Sequence, residues 1–104
     1  MKINIKATSL DLTESINNYI ESKLWSLNKL VEKWDLEGVV QAYVEIARTT
    51  QHHHKGPVYR AEVNLTLPGK MLRAEAEDWD VRVAIDEAKN ELQRQIKKYN
   101  EING

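Results

Sequence analysis

Three adjacent histidines, His52 to His54, and a line of cations in the last quarter of the chain, Lys89, Arg94, Lys97 and Lys98, are the residues whose types and spacing could do chemistry. Histidines side by side suggest a metal. Consecutive loop residues cannot all turn toward one ion without strain, however, and there is no cysteine or second histidine cluster to complete a coordination shell, so no metal site is expected. TTQHHHKGP, punctuated by Gly56 and Pro57, reads as a solvated loop in which His54 and Lys55 are candidates for touching a phosphate. Catalysis finds as little support. No serine, histidine and acid arrangement or glycine-rich phosphate cradle can be assembled, and Glu75 and Glu77 alternate outward as ordinary solvated carboxylates. The reading is of a protein that is not an enzyme, with no cofactor and no small-molecule substrate.

The cations carry two readings. Lys and Arg near a helix C-terminus complement its dipole, at about 0.3–1 kcal/mol each, and Glu91 can pair with Arg94 three residues on. Against that, Lys23, Lys29 and Lys33 form a second basic line on an earlier helix. If the two helices pack side by side, the lines border one surface of Lys, Arg and neutral polar groups, which suits a phosphate backbone. The net charge is -1, so any polyanion binding must come from such a local patch rather than from the field of the whole molecule. Charge alone leaves both readings open.

The elements that must position these residues follow from periodicity. Lys2 to Thr8 alternates, with Ile3, Ile5 and Ala7 on one side, as does a half-buried strand. Asp11 or Thr13 can cap the next helix, with Thr13 preferred. Ile16, Tyr19, Ile20, Leu24, Leu27, Leu30, Val31 and Trp34 then share one helical face, predicting a helix from Thr13 to about Trp34. Trp25 falls opposite that face, where burial does not explain it. Val39 to Arg48, Val58 to Leu67 and Met71 to Glu77 alternate as three further strands, the last two joined as a hairpin by Pro68, Gly69 and Lys70. Asp78 or Asp80 caps a closing helix that runs to Tyr99 and buries Val81, Ala84, Ile85, Ala88, Leu92, Ile96 and Tyr99.

The order β-α-β-β-β-α predicts an α+β two-layer sandwich, a four-stranded sheet with two helices on one face. With 104 residues and 41% hydrophobic composition, a single domain over 1–104 with one modest core is expected. No stretch approaches the roughly 20 apolar residues of a membrane span, and the first residues lack the apolar run of a signal peptide. A soluble cytoplasmic protein is the expectation.

Taken together, LDLTESINNYIESKLWSLNKL, HHKGPVYRAEVNLTLPG and DVRVAIDEAKNELQRQIKKY resemble the ribosome hibernation promoting factor family, over nearly the whole chain. The resemblance implies a fold similar to a double-stranded-RNA-binding domain with an added first strand. It also implies a stress or stationary-phase regulator that binds the small ribosomal subunit and its rRNA at the decoding region and blocks mRNA and tRNA. Lys23, Lys29, Arg94 and Lys98 match basic positions of the family, and Lys97 is similar in charge. Glu91 and Ser26 depart from it where Lys is frequent, and Lys33, Arg82 and Lys89 are the cations that compensate. Asp80 and the run Ala84 to Asp86 match the family's helix start. A chain ending at Gly104 implies the short form, monomeric off the ribosome. Two alternatives stand beside this one. A protein-interaction module would use the exposed sheet face, at Tyr43, Val58 and Met71, together with Trp25. A free double-stranded-RNA binder has the net charge against it.

Overall fold

A computed structural model describes residues 1–49 and 58–104. The tract His52 to His54 and the loop contact expected of His54 and Lys55 lie outside the described residues. Four strands form one sheet in the order β1-β2-β3-β4: β1 (Lys2–Thr8), β2 (Gln41–Arg48), β3 (Tyr59–Leu67) and β4 (Lys70–Asp78). β2, β3 and β4 pair antiparallel, whereas β1 runs parallel to β2, with Lys2 opposite Gln41 and Thr8 opposite Ala47. Parallel neighbours need a crossover, and the helical region between them supplies it. At the hairpin Leu67 faces Lys70, and Gly69 takes φ 72°, the left-handed value a type II turn asks of the residue after its proline.

Alternation sets which face is buried. Ala42, Val44 and Ile46 on β2, Ala61, Val63, Leu65 and Leu67 on β3, and Leu72 and Ala74 on β4 point into the core. The outer face is polar. One cross-strand row there reads Lys6, Glu45, Glu62, Glu75, and three carboxylates abreast would repel. Arg60 and Arg73 on the adjacent rows bridge two of them, Glu62 and Glu75: Arg60 donates to Glu62 at 2.5 Å and also to Glu75, and Arg73 donates to Glu62 at 2.8 Å, while Glu45 accepts from the Thr8 hydroxyl at 2.7 Å. The Arg60 guanidinium, helped by Asn64, holds the Glu62 carboxyl below the usual carboxylate range.

The expected continuous helix to Trp34 is broken. α1 covers Glu14–Trp25, a short α2 covers Asn28–Val31, and 3-10 turns follow at Glu32–Trp34 and Leu36–Gly38. The break has a local cause. The Ser26 hydroxyl donates to the Lys23 carbonyl at 2.5 Å, and the Leu27 amide turns instead to Leu24 at 2.9 Å, a three-residue bond that tightens the turn. Leu27 and Val31 remain buried all the same, because the tightened turns still bring every third or fourth residue to the same side. Thr13 caps α1, its side chain accepting from the Ile16 amide at 3.2 Å.

The closing helix α3 (Val81–Asn103) extends beyond the expected Tyr99. Asp80 is its cap, accepting from the Arg82 amide at 2.8 Å. Ala84, Ala88, Leu92 and Ile96 are fully buried, and the helix lies over β3 and β4 on the same face as α1. Small alanines at its start let it approach the sheet closely. Near its end Tyr99 donates to the Pro68 carbonyl at 3.0 Å and meets Trp34 edge to face at 5.2 Å. Asn100 joins α3 to the broken helical region twice: its amide donates to the Leu30 carbonyl at 2.9 Å, and its oxygen accepts from the Trp34 indole at 2.7 Å. Asn100→Ala leaves both partners unsatisfied in a half-buried place. It should cost about 1–3 kcal/mol, read as a fall of about 4–8 °C in melting temperature per kcal/mol.

Candidate functional site

α1 and α3 run side by side in the same direction, since Ser15 and Tyr19 meet Arg82 and Asp86 near their starts while Leu30 and Trp34 meet Asn100 near the far end. The seam between them collects part of the expected basic set. Arg82 donates to the Ser15 hydroxyl at 2.8 Å and lies 5.5 Å from the Tyr19 ring centre. Lys23 lies 5.3 Å from the same ring and 3.4 Å from Asp86. Tyr19 donates its hydroxyl to Asp86 at 2.7 Å, and that bond, with partial burial, raises its pKa. Lys89 stands further along the same flank, its ammonium donating to Gln93 at 2.8 Å. Arg82 and Lys89 are seven residues apart, which at about 100° per residue puts them on one line of the helix.

Other members of the expected set lie elsewhere. Arg94 and Lys98 are on the opposite flank of α3, beside β4, in a groove of about 340 Å³ that also takes in Lys70, Arg73, Met71 and Ile102. Lys97 sits on the outer ridge between the flanks, beside Asn90, Gln93 and Arg94. Lys29 is exposed on α2. The Lys33 ammonium lies 5.1 Å from the Trp34 ring centre and reaches the last turn of α3 beside Gly104. The basic lines expected to border one surface are therefore divided: Lys23, Arg82 and Lys89 stand on a seam between helices, Arg94 and Lys98 in a second groove at the β4 edge, and Lys97, Lys29 and Lys33 outside both. The sequence reading missed Lys70 and Arg73. Lys70 reads as a turn residue, and only the packing of α3 over β4 brings it to Arg94 and Lys98.

Carboxylates temper both surfaces. Glu91 receives two hydrogen bonds from Arg94, at 2.9 and 2.5 Å, and one from Gln95 at 3.3 Å. Arg94 chiefly, then Gln95, lowers the Glu91 pKa to about 2. The carboxylate is thus charged at every physiological pH, and Arg94 must exchange it for any incoming anion. An NMR titration should find the Glu91 carboxyl changing state near pH 2, well below an exposed glutamate at about 4.3. In the Arg94→Gln variant it should move up toward that ordinary value.

Trp25 is 53% exposed and lies beside Met1 and Ile3, on the helix side of the β1 edge. It does not share a face with Tyr43 and Met71, which stand on the outer side of the sheet at 46% and 58% exposure. The interaction surface that joined Trp25 to the sheet face is corrected accordingly. Helical geometry is the reason: Trp25 faces the flank of α1 turned to the sheet edge. Among the described residues no cluster of His, Cys, Asp or Glu could hold a metal ion, and no helix is long and apolar enough to cross a membrane.

Comparison with known proteins bears on this arrangement. The sequence profile described as Sigma 54 modulation protein / S30EA ribosomal protein matches residues 3–103. A ribosome hibernation promotion factor of Lactococcus lactis is 35% identical over 95% of this chain and 49% of its own length. One from Staphylococcus aureus is 30% identical over 95% of this chain and 48% of its own. The chain thus spans about half the length of the curated relatives it matches. The crystal structure of the Thermus thermophilus Protein Y N-terminal domain superposes with a TM-score of 0.74 at 32% identity, covering 95% of this chain and 99% of that one. A ribosomal subunit interface protein from Coxiella burnetii, 19% identical, shares the fold with a TM-score of 0.73.

Proposed function

The chain belongs to the Sigma 54 modulation protein / S30EA ribosomal protein family, and on that premise we propose that it is a ribosome-binding regulator of translation that promotes hibernation. Its target is the small ribosomal subunit, at the decoding region, where it blocks mRNA and tRNA. It acts by occupancy in the cytoplasm, without a reaction of its own. The observation that carries this reading is the seam between α1 and α3. Lys23, Arg82 and Lys89 border it, Lys97 stands on the ridge above and Lys29 and Lys33 beyond its far end. From Arg82 to Lys97 is about 22 Å along a helix, room for several phosphates of an RNA strand. Arg94 and Lys98 extend the contact on the other flank.

Such a surface holds phosphates and positions the protein without reading bases. RNA shape supplies the selectivity. The test is co-sedimentation with purified small subunits across a series of salt concentrations. Binding should weaken steeply, with a log-log slope of about -0.7 for each phosphate contact. Absence of co-sedimentation at low salt would overturn the proposal. Equal affinity for a plain RNA duplex would replace it with general RNA binding.

A further inference from the structure

β1 is an edge strand, and one side of its backbone pairs with no other strand among the described residues. The Lys2 amide donates to Val40 at 3.1 Å, so Lys2, Asn4 and Lys6 turn their backbone groups toward β2. Alternation points the N–H and C=O groups of Ile3, Ile5 and Ala7 away from the sheet, where no described residue receives them. Beside this open edge a groove of about 460 Å³ runs between β1 and α1, lined by Met1, Ile3, Asn18, Glu21, Ser22 and Trp25. A row of free backbone donors and acceptors next to a helix-walled groove is the geometry by which domains take up an extended peptide as an extra strand.

We propose that the β1 edge and this groove bind an extended segment of a partner protein in which acidic and apolar side chains alternate. On the outer face of the sheet Lys2 and Lys6 flank the added strand, and carboxylates of the segment would stand beside them. Its apolar side chains would point the other way, into the groove, against Ile3 and the exposed face of Trp25. Asn18 and Ser22 give that side a polar rim. Glu21, also on that side, disfavours an acid there and so reinforces the alternation. A second copy of this chain is a poor occupant: KINIKAT has no acidic residue, and pairing two β1 strands would gather four lysines on one face. Edge lysines often serve only to prevent such self-pairing. Here they stand beside a groove and a tryptophan that self-protection does not need.

The site is independent of the basic seam. Trp25 and Lys23 are two residues apart on α1, about 160° around the helix, so an RNA on one side and a strand on the other can be held together. The experiment uses the full chain and a labelled heptapeptide, Glu-Leu-Glu-Val-Glu-Leu-Glu, with its Lys-for-Glu counterpart as control. Fluorescence anisotropy should show saturable binding of the acidic peptide only. Hydrogen exchange should slow about tenfold at the Ile3, Ile5 and Ala7 amides. Trp25→Ala should weaken binding about tenfold at unchanged melting temperature, and the double variant Lys2→Gln, Lys6→Gln, which adds no carboxylate opposite Glu45, should abolish the preference for the acidic peptide. Failure of the acidic peptide to bind, binding without protection of those amides, or indifference to Trp25→Ala would each overturn the proposal. Concentration-dependent protection of the same amides with no peptide present would overturn it in favour of a second copy.

Discussion

Changing Lys23, Arg82 and Lys89 together to glutamate is expected to abolish co-sedimentation with small subunits at physiological salt, a loss of about a hundredfold or more in affinity. Each of the three stands on the seam side of its helix, anchored across the seam by Ser15 and Asp86 or beside it by Tyr19 and Gln93. Three lost phosphate contacts should also flatten the log-log salt dependence of the remaining binding by about 2. Reversal of Arg94 and Lys98 should cost less, about tenfold. Arg94 already spends two hydrogen bonds on Glu91, so RNA gains there only the difference between one anion and another. Anisotropy with a labelled chain at two salt concentrations separates the outcomes. A larger loss from the Arg94 and Lys98 pair would move the RNA surface to the β4 edge.

The largest effect on stability is expected from Leu92→Ala. Leu92 is fully buried at the middle of α3, facing the sheet that β2, β3 and β4 build. Removing its branched end leaves a cavity between two rigid layers, and α3 cannot settle into it because Tyr99 and Asn100 pin its far end to the hairpin and to Leu30. The cost should be about 2–5 kcal/mol, a large share of the roughly 5–15 kcal/mol that holds an ordinary domain together. Urea denaturation should show the midpoint falling with an unchanged slope, since the surface exposed on unfolding hardly changes.

Much of this was legible in advance for identifiable reasons. A period of two is hard to mistake in Val40 to Ile46 or Ala61 to Leu67, and the buried residues there are those that alternation predicts. Thr13 was legible as a cap, and Asp80 as one of two candidates with Asp78, because a side-chain oxygen just ahead of an apolar helical stripe has few other uses. The break at Ser26 was not, because Leu27, Leu30, Val31 and Trp34 keep a spacing that α and 3-10 turns share. The parallel pairing of β1 had no local mark. The divided basic surface was half visible: at about 100° per residue, Arg94 and Lys98 fall about 120–180° around the helix from Arg82 and Lys89. The tie from Lys23 and Tyr19 to Asp86 joins residues far apart in the chain, and only the packed helices reveal it.

The parallel pairing of β1 has a consequence for the order in which the molecule comes apart. β3, β4 and α3 are consecutive and close on one another through short connections, whereas β1 must find β2 with Lys2 and Gln41 about forty residues apart, at a higher cost in chain entropy. β1 and α1 are therefore expected to be the unit that opens first, and native-state hydrogen exchange should show their amides exchanging well before those of β3 and α3. The seam is the boundary between that early-opening unit and the slow one. An RNA strand bound along it as proposed would act as a fastener, so limited proteolysis should cut the bound protein more slowly than the free one.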